Sequence, residues 1–502
     1  MIDAVKNVGG FQGSETTGVE VRFYPQGGDP VVVDQEPIGP SGRLRYDLNP
    51  SVISVNTNEQ LGAPSGSWSV TLKEGKRHYV RGLFDELVDD DWVDISFYRF
   101  GKRWHVMRGL IDDVRRVQQA GLGKATSRTW TVSGRSFGSI WEKTPIWFNV
   151  WSDENVSGAV SSKVFSSIEN VLGTPPEVVE GFLFGFLREL GSVGRATWAM
   201  PKGMPNVGSR FIDSFEANYL GYPNVPRLIA ISPNWLCPQG NLWALAKEWS
   251  DPMFNELLLG LYAKGSARPD FELEPGKELQ TNNSKMYVIL RERPFPTLTA
   301  GRGSPWFSLP TWVIPRQMVV TDSLGKSGME RYNAYFVAPQ LVQEVLQEAG
   351  IEGSQPLWDP DDILRHGLRR LDISTKYTSP EADLAGLSSA QRLKVRDWYC
   401  LNPYLLNGSL EIAIGIPSIR PGVRLRVAGA QTKDDDITFY VESIAHNWAF
   451  GAGIKTSLGV TRGWVGTDDT YLNKLNEVAF NYRVANRAAP KEYVPAVSGG
   501  VG

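Results

Sequence analysis

Ile437–Gly463 reads ITFYVESIAHNWAFGAGIKTSLGVTRG, and its alternation decides the fold. Ile437, Phe439 and Val441 share one parity, while Ile444, His446, Trp448 and Phe450 share the other. Strand side chains alternate with a period of two, so a change of parity near Ser443 is what one inserted residue, a β-bulge, produces. Beyond Gly451 and Gly453, Ile454, Thr456, Leu458 and Val460 alternate again. The stretch is therefore a long, bent antiparallel hairpin, entered through the polar run Asp434–Asp436.

Upstream, GSLEIAIGI alternates Leu410, Ile412, Ile414 and Ile416, and GVRLRVAG alternates Val423, Leu425 and Val427. A comparable set opens the chain. VEVRFYP and PVVVDQEPI are short strands, and SGSWSVTLK places Trp68, Val70 and Leu72 on one face. DWVDISFYRFGKRWHVMRG is a hairpin turning at Phe100–Lys102, and SRTWTVSGRSFG carries Trp130 and Val132 inward. GKRWHVMRG followed by RTWTVSGR is similar to ITFYVES followed by TSLGVTRG, a weak repeat that places one small barrel at each end.

The texture between them differs. TPPEVVEGFLFGFLREL and GNLWALAKEW have helical spacing, the second with Asn241 as N-cap for Leu242, Leu245 and Trp249. SKMYVILRERPFP is a strand stopped by proline. Residues 317–337 are sheet-like, with SLGKSG (Ser323–Gly328) as a hairpin turn. PQLVQEVLQEAG, PDDILRHGLRRL, SSAQRLKVRDWYC and DTYLNKLNEVAFNYRVANR are helical, and RLKVRDWY reads as an ordinary helix exterior.

The fold class is α+β and β-rich: two similar antiparallel barrel-like domains separated by mixed and helical domains. The first barrel-like domain spans 1–140. A helical or irregular insertion follows over 141–230, a mixed α/β part over 231–316, and a β-hairpin and helical segment over 317–407. The second barrel-like domain spans 408–468, and a C-terminal helix and flexible tail close the chain over 469–502.

Bulk properties narrow the function. The chain has 502 residues, more than one ordinary core holds. Its 51 glycines and 32 prolines suit a turn-rich, sheet-rich protein. The net charge of -3 argues against a broad nucleic-acid-binding face. Two cysteines, Cys237 and Cys400, make neither a disulfide framework nor a cysteine zinc site. The N-terminus lacks the pattern of a signal peptide, and no apolar run of about 18 residues is present.

No catalytic, cofactor or metal constellation emerges. His78, His105, His366 and His446 are scattered, with no HExxH or HxH pair, and His446 reads as a structural strand histidine. SLGKSG lacks the upstream glycine of a phosphate loop, whose position holds Val320, and AGLGKAT has Ala after Lys124. Acidic residues such as Asp112, Asp113, Glu292 and Glu442 are present, but nothing selects a glycosidase pair. The Asp triplets at 89–91 and 434–436 read as solvated turns rather than calcium sites.

Several stretches in fixed order carry a family resemblance. NLWALAKEWSDPMFNELLLGLY, with Trp243, Asn255 and Glu256, resembles the helix-then-NEL segment of baseplate hub proteins of bacteriophage tails and related contractile injection systems. KMYVILRERPF, with Arg291, Pro294 and Phe295, is similar to that family's Arg-x-x-Pro-Phe strand end. SIRPGVRLRV, with Pro421 and Gly422, resembles its strand entering the last barrel. FYVESIAHNWAFG and TSLGVTRG resemble its closing hairpin through Tyr440, Val441, His446, Trp448, Thr461, Arg462 and Gly463.

The resemblance covers about 80–460 with gaps. It implies a non-enzymatic, cofactor-free homotrimer at the centre of a virion tail baseplate, assembled in the host cytoplasm, in a contractile tail. Such a hub adapts a sixfold tail tube to a threefold spike and lines the channel for tape-measure protein and DNA, whose passage is transient and non-specific. The implied partners are the spike on the distal side, the tail tube or its distal initiator on the proximal side, baseplate wedge or surrounding ring proteins, and the tape-measure protein. The helix over 469–487 is expected to anchor a neighbour. A tail-associated cell-wall hydrolase with a Trp-lined cleft and a carbohydrate-binding baseplate module are the alternatives, because 17 tryptophans suit clefts as well as interfaces.

Overall fold

The computed structural model describes residues 17–26, 28–35, 52–73, 87–99, 102–119, 127–144, 200–205, 215–220, 241–263, 272–273, 284–298, 300–301, 303–339, 356–375, 384–429 and 436–484. The helix expected in TPPEVVEGFLFGFLREL, the one in PQLVQEVLQEAG and the C-terminal tail lie outside these residues. No described helix is long and apolar enough to cross a membrane.

Strands dominate. In chain order they are β1 (Gly18–Tyr24), β2 (Val31–Gln35), β3 (Val52–Gln60), β4 (Ser67–Lys73), β5 (Trp92–Arg99), β6 (Lys102–Gln119), β7 (Ser127–Ser136), β8 (Phe215–Leu220), β9 (Asn255–Ala263), β10 (Glu272–Leu273) and β11 (Ser284–Glu292). They continue with β12 (Thr311–Pro315), β13 (Val319–Gly325), β14 (Ala334–Pro339), β15 (Leu357–Trp358), β16 (Arg370–Thr375), β17 (Leu406–Ile412), β18 (Arg424–Ala428), β19 (Ile437–Ala449), β20 (Gly453–Val465) and β21 (Arg483–Val484). The α-helices are α1 (Ser139–Lys143), α2 (Leu242–Trp249), α3 (Pro360–His366), α4 (Leu384–Tyr399) and α5 (Asp468–Ala479).

Fourteen strands form one large, curled, mainly antiparallel sheet. Its N-terminal run has the order β2-β1-β5-β6-β7-β4-β3, and its C-terminal run the order β12-β18-β19-β20-β17-β13. The two runs are joined by β3, which pairs antiparallel with the far half of β19, Ser443 to Ala449. A three-stranded sheet, β8-β11-β9, and a four-stranded one, β16-β14-β15-β21, complete the fold.

The hairpin β19–β20 has its bulge where the alternation places it, between Val441 and Ser443. The bulge also redirects the strand between two cores. Phe439, Val441, Ile444, Leu458 and Val460 pack with Leu410, Ile412, Leu425 and Val427. Trp448 and Ile454, farther along, pack instead with Val55, Val70, Val93, Ile95, Phe97 and Val132. Trp448 therefore belongs to the core built by the first strands, not to a self-contained last barrel. Phe450, just past the strand, is exposed at the turn.

A third core gathers Ile140, Trp141, Leu242, Trp243, Met286, Leu290, Tyr335, Trp398 and Tyr471, joining all the helices except α3 to both smaller sheets. Helix α2 begins as its sequence dictates: the Asn241 side chain accepts from the Ala244 N–H at 2.8 Å.

Four local readings are corrected. SLGKSG is not a hairpin turn, because β13 pairs with β17 while β14 pairs with β15 and β16. In PDDILRHGLRRL the helix stops at His366, Gly367 takes φ 77°, and Arg370 onward is strand β16. RLKVRDWY is not an exterior: Arg392, Arg396, Asp397 and Trp398 are buried, and Asp397 accepts from the Leu298 N–H at 2.8 Å. The Asp triplets are not simply solvated either. Asp91 accepts from the Val88 and Gln26 N–H groups, and Asp436 from the Gly429 N–H at 2.7 Å, so each triplet's last residue is a buried cap.

Helix α5 buries Tyr471 and Leu475 in the chain's own third core, and Ala479 is buried as well.

Candidate functional site: a buried charged anchor

Seven of the fifteen family-motif residues meet at one place, where the three-stranded sheet packs on the closing hairpin. Glu256 comes from the start of β9 and Arg291 from the end of β11, side by side because these strands pair Arg291 with Glu256. Arg291 Nε donates to Glu256 Oε2 at 3.2 Å, and its Nη2 donates to the Gly422 carbonyl at 2.7 Å and to the Tyr440 hydroxyl at 2.9 Å. The Tyr440 hydroxyl donates to Glu256 Oε2 at 2.6 Å.

Arg462 approaches from β20. Its Nη1 donates to the Pro294 carbonyl at 2.8 Å, and its Nη2 lies 3.7 Å from Glu256 Oε1. Its guanidinium stacks 3.7 Å from the Phe295 ring centre and 4.1 Å from that of Tyr440, which is cation–π geometry. Phe295 in turn stacks on Trp398 at 5.4 Å.

The backbone makes this approach close. Gly422 has φ 84°, and a Cβ there would stand 2.6 Å from Arg291 Nη2. Gly463 has no space for a Cβ either, which would meet the Phe439 ring at 2.5 Å. Arg462 itself holds φ 56°, a costly conformation for a side-chain-bearing residue, fixed here by its ion pair, stacking and backbone bonds. Burial, reinforced by Glu256, raises Tyr440 well above its usual value, so the hydroxyl stays a donor.

Two buried arginines share one carboxylate, and Arg462 also lies against two aromatic rings, with the polar groups directed at one another. Such an arrangement holds two sheets in a fixed relation. It is an arrangement suited to fixing structure.

The other motif residues lie elsewhere. Asn255 adjoins Glu256 and ties the β9 start to the Ser250 carbonyl at 2.7 Å. Pro421 is buried before Gly422, and Val441 N–H donates to the Val423 carbonyl at 3.0 Å. Thr461 donates to Glu442 at 2.9 Å. Trp243 packs on Trp141 in the third core. His446 and Trp448 sit at the far end of the hairpin.

His446 is buried on β19, with Nδ1 2.9 Å from the Thr456 hydroxyl. Burial, helped by the nearby Arg420 guanidinium, lowers its pKa from 6.5 to about 3. Between those values the unfolded chain takes up a proton that the folded one refuses. This contribution is thus fully present above pH 6.5 and is lost as pH falls towards about 3. His446→Gln is expected to remove a slope of about 1.4 kcal/mol per pH unit across that window. Urea midpoints at pH 7 and pH 5 measure it, and an unchanged slope refutes the assignment.

Sequence reasoning missed two further constellations. Arg420 donates to the carbonyls of Leu261 at 3.1 Å and His105 at 2.8 Å, bridging β9 and β6. Asp94 is held by Arg108 Nε at 2.8 Å, by Arg108 Nη2 and the Tyr24 hydroxyl, and faces His105 at 3.1 Å. Burial alone would raise the Asp94 pKa, but Arg108 and His105 more than offset it and hold the carboxyl well below the usual range. The signal available was a charged residue inside the otherwise apolar run WVDISF.

A comparison with family models finds no match, and one with curated proteins finds none either. Among solved structures, a tail protein from Neisseria meningitidis MC58 is similar at 11% identity and TM-score 0.47, over 89% of this chain and 96% of that one. A 43 kDa tail protein of prophage MuSo2 from Shewanella oneidensis is similar at 11% identity and TM-score 0.44, over 89% and 98%. An E. coli type VI secretion component, described as structurally similar to the T4 tail proteins gp27 and gp5, is similar at 9% identity and TM-score 0.37, over 84% and 76%.

Proposed function

We propose that the chain is the structural hub of a phage tail baseplate. It acts as a homotrimer that adapts a sixfold tail tube to a threefold spike and surrounds the channel for tape-measure protein and DNA. One observation carries this reading: the chain contains the same five-strand run twice. β3, β4, β5, β6 and β7 lie in the sheet order β5-β6-β7-β4-β3, and β13, β17, β18, β19 and β20 in the order β18-β19-β20-β17-β13.

Chain order matches as well, with β14 to β16 and their helices inserted between β13 and β17. Two of the bulges also coincide. Ile111/Asp113 on β6 corresponds to Val441/Ser443 on β19, and Val52/Ser54 on β3 to Val319/Thr321 on β13. Two equivalent units in one chain give six in a trimer, which is how a threefold ring meets a sixfold tube.

The buried anchor fits a part that must keep its shape under load. The near-neutral charge fits a channel that does not retain DNA. Three acids that a glycosidase could use have ion-pair partners: Asp112 with Arg135 at 2.9 Å and Lys143 at 3.1 Å, Asp113 with Arg115, and Glu292 with Lys394 at 2.6 Å. The spike binds on the distal side, the tube or its initiator on the proximal side, and wedge or ring proteins outside, within a contractile virion tail.

The test is mass and symmetry in solution. Light scattering should give about 167 kDa, three times 55.7 kDa, and class averages should show a ring with an axial pore. A protein that stays monomeric overturns the proposal, and digestion of cell wall by that monomer would favour the hydrolase.

A further inference from the structure

The two runs differ in one respect. On β19, residues 437 to 440 pair with β18, and beyond the bulge the same side pairs with β3 over Ser443 to Ala449. On β6, residues 102 to 110 pair with β5, and beyond the bulge at Ile111 only the opposite side is used, by β7. Residues 113 to 119 thus extend an open edge that no strand pairs among the described residues.

The matching strand is open too. β3 uses one side for β4 and the other for β19, whereas among the described residues its counterpart β13 pairs with β17 alone. On β13, Val320, Thr321, Asp322 and Ser323 are exposed, Val320 by 63%. The chain therefore carries one satisfied joint and the two unsatisfied halves of a second.

We infer that β13 of one copy pairs antiparallel with the β6 edge of a second copy, repeating between chains the β3–β19 joint within the chain. This rests on the hub reading and names the strands that close its ring. The inner joint sets the register. Asn447 faces Asn56, Trp448 faces Val55 and Ala445 faces Asn58. Through the shared bulges, Asn447 corresponds to Val117 and Asn56 to Ser323. Val117 of one copy then faces Ser323 of the next, Gln118 faces Asp322 and Arg115 faces Gly325.

The chemistry supports this register. Open edges seek partners, and a strand added to an edge satisfies every outward N–H and C=O. Arg116 and Asp322 become diagonal neighbours on one face, within reach for an opposite-charge pair. The contact is head-to-tail, so it builds a ring when the rotation between copies is threefold, as the hub reading requires, and never a two-fold dimer.

The test is the double variant Val117→Cys with Ser323→Cys in the full chain. Directly opposed strand residues lie within disulfide range. Mild oxidation should move most of the protein to a reducible covalent trimer. Val117→Cys with Val320→Cys, about 10 Å out of register, should not cross-link. Amide exchange supplies a measurement free of substitutions: residues 113 to 119 and 319 to 325 should exchange more slowly in the trimer than in diluted monomer. A 167 kDa trimer with neither cross-link nor protection overturns the pairing and leaves the hub reading standing. A protein that stays monomeric overturns both.

Discussion

Arg291→Ala is expected to destabilise the protein by about 3–5 kcal/mol, one of the two largest losses from a single substitution here. The residue is 5% exposed and donates hydrogen bonds to Glu256, Gly422 and Tyr440. Its removal leaves the Glu256 carboxylate with Arg462 at 3.7 Å as its nearest remaining cation, and leaves the Gly422 carbonyl without its donor. A buried charge that loses its partner costs far more than the pair contributes net, because it keeps its desolvation penalty.

Arg291→Lys should recover only part of the loss, since one ammonium cannot serve three acceptors spread over a planar fork. Arg291→Met combined with Glu256→Leu should recover more, because both charges leave together. Urea midpoints of the three variants decide the point. A loss below about 1 kcal/mol for Arg291→Ala would show that the two sheets are held by apolar packing alone.

The anchor was half legible in the sequence. Its members lie in four separate stretches, NEL, RERPF, RPGV and FYVES with TRG, each of which bears a resemblance by itself. What no stretch encodes locally is that they converge, since convergence depends on β9 pairing with β11 and on β20 lying over both. Gly422 and Gly463 stood out as family residues, but their reason is three-dimensional: the space of one methyl group beside Arg291 and beside Phe439.

Local patterning was read well wherever a strand is buried on one face. The switch of parity at Ser443, the inward Trp68, Val70 and Leu72, and the cap at Asn241 all follow from neighbours in sequence. The errors share one cause: each depended on a distant partner. SLGKSG looks like a turn because both flanks are strands, yet each flank pairs with chain that comes later. RLKVRDWY looks solvated because it is charged, yet Asp397 accepts from the N–H of Leu298, 99 residues earlier, and Phe295 stacks on Trp398. The Asp triplets look solvated for the same reason, and their buried third members are visible only once the adjoining backbone N–H groups are placed.

Trp448→Ala tests the long-range consequence of the bulge, and it is expected to cost about 3–5 kcal/mol through the cavity it leaves. Its side chain is 3% exposed and opposes Val55 on β3 and Ile454 on β20. The location of the damage is the sharper prediction. Were the hairpin a self-contained part of the last run, the loss would fall on β17 and β18. Because Trp448 packs with Val55, Val70, Phe97 and Val132, the loss should fall on the N-terminal run instead. Amide exchange should quicken in β3 and β4 and at the β3–β19 joint, while β17 and β18, whose core holds Phe439 and Leu458, keep their protection. Leu458→Ala should show the reverse. If Trp448→Ala instead loosens β17 and β18 and spares β3, the joint between the two runs is a surface contact and not a shared core. The bulge at Ser443 would then bend the hairpin without coupling the two units.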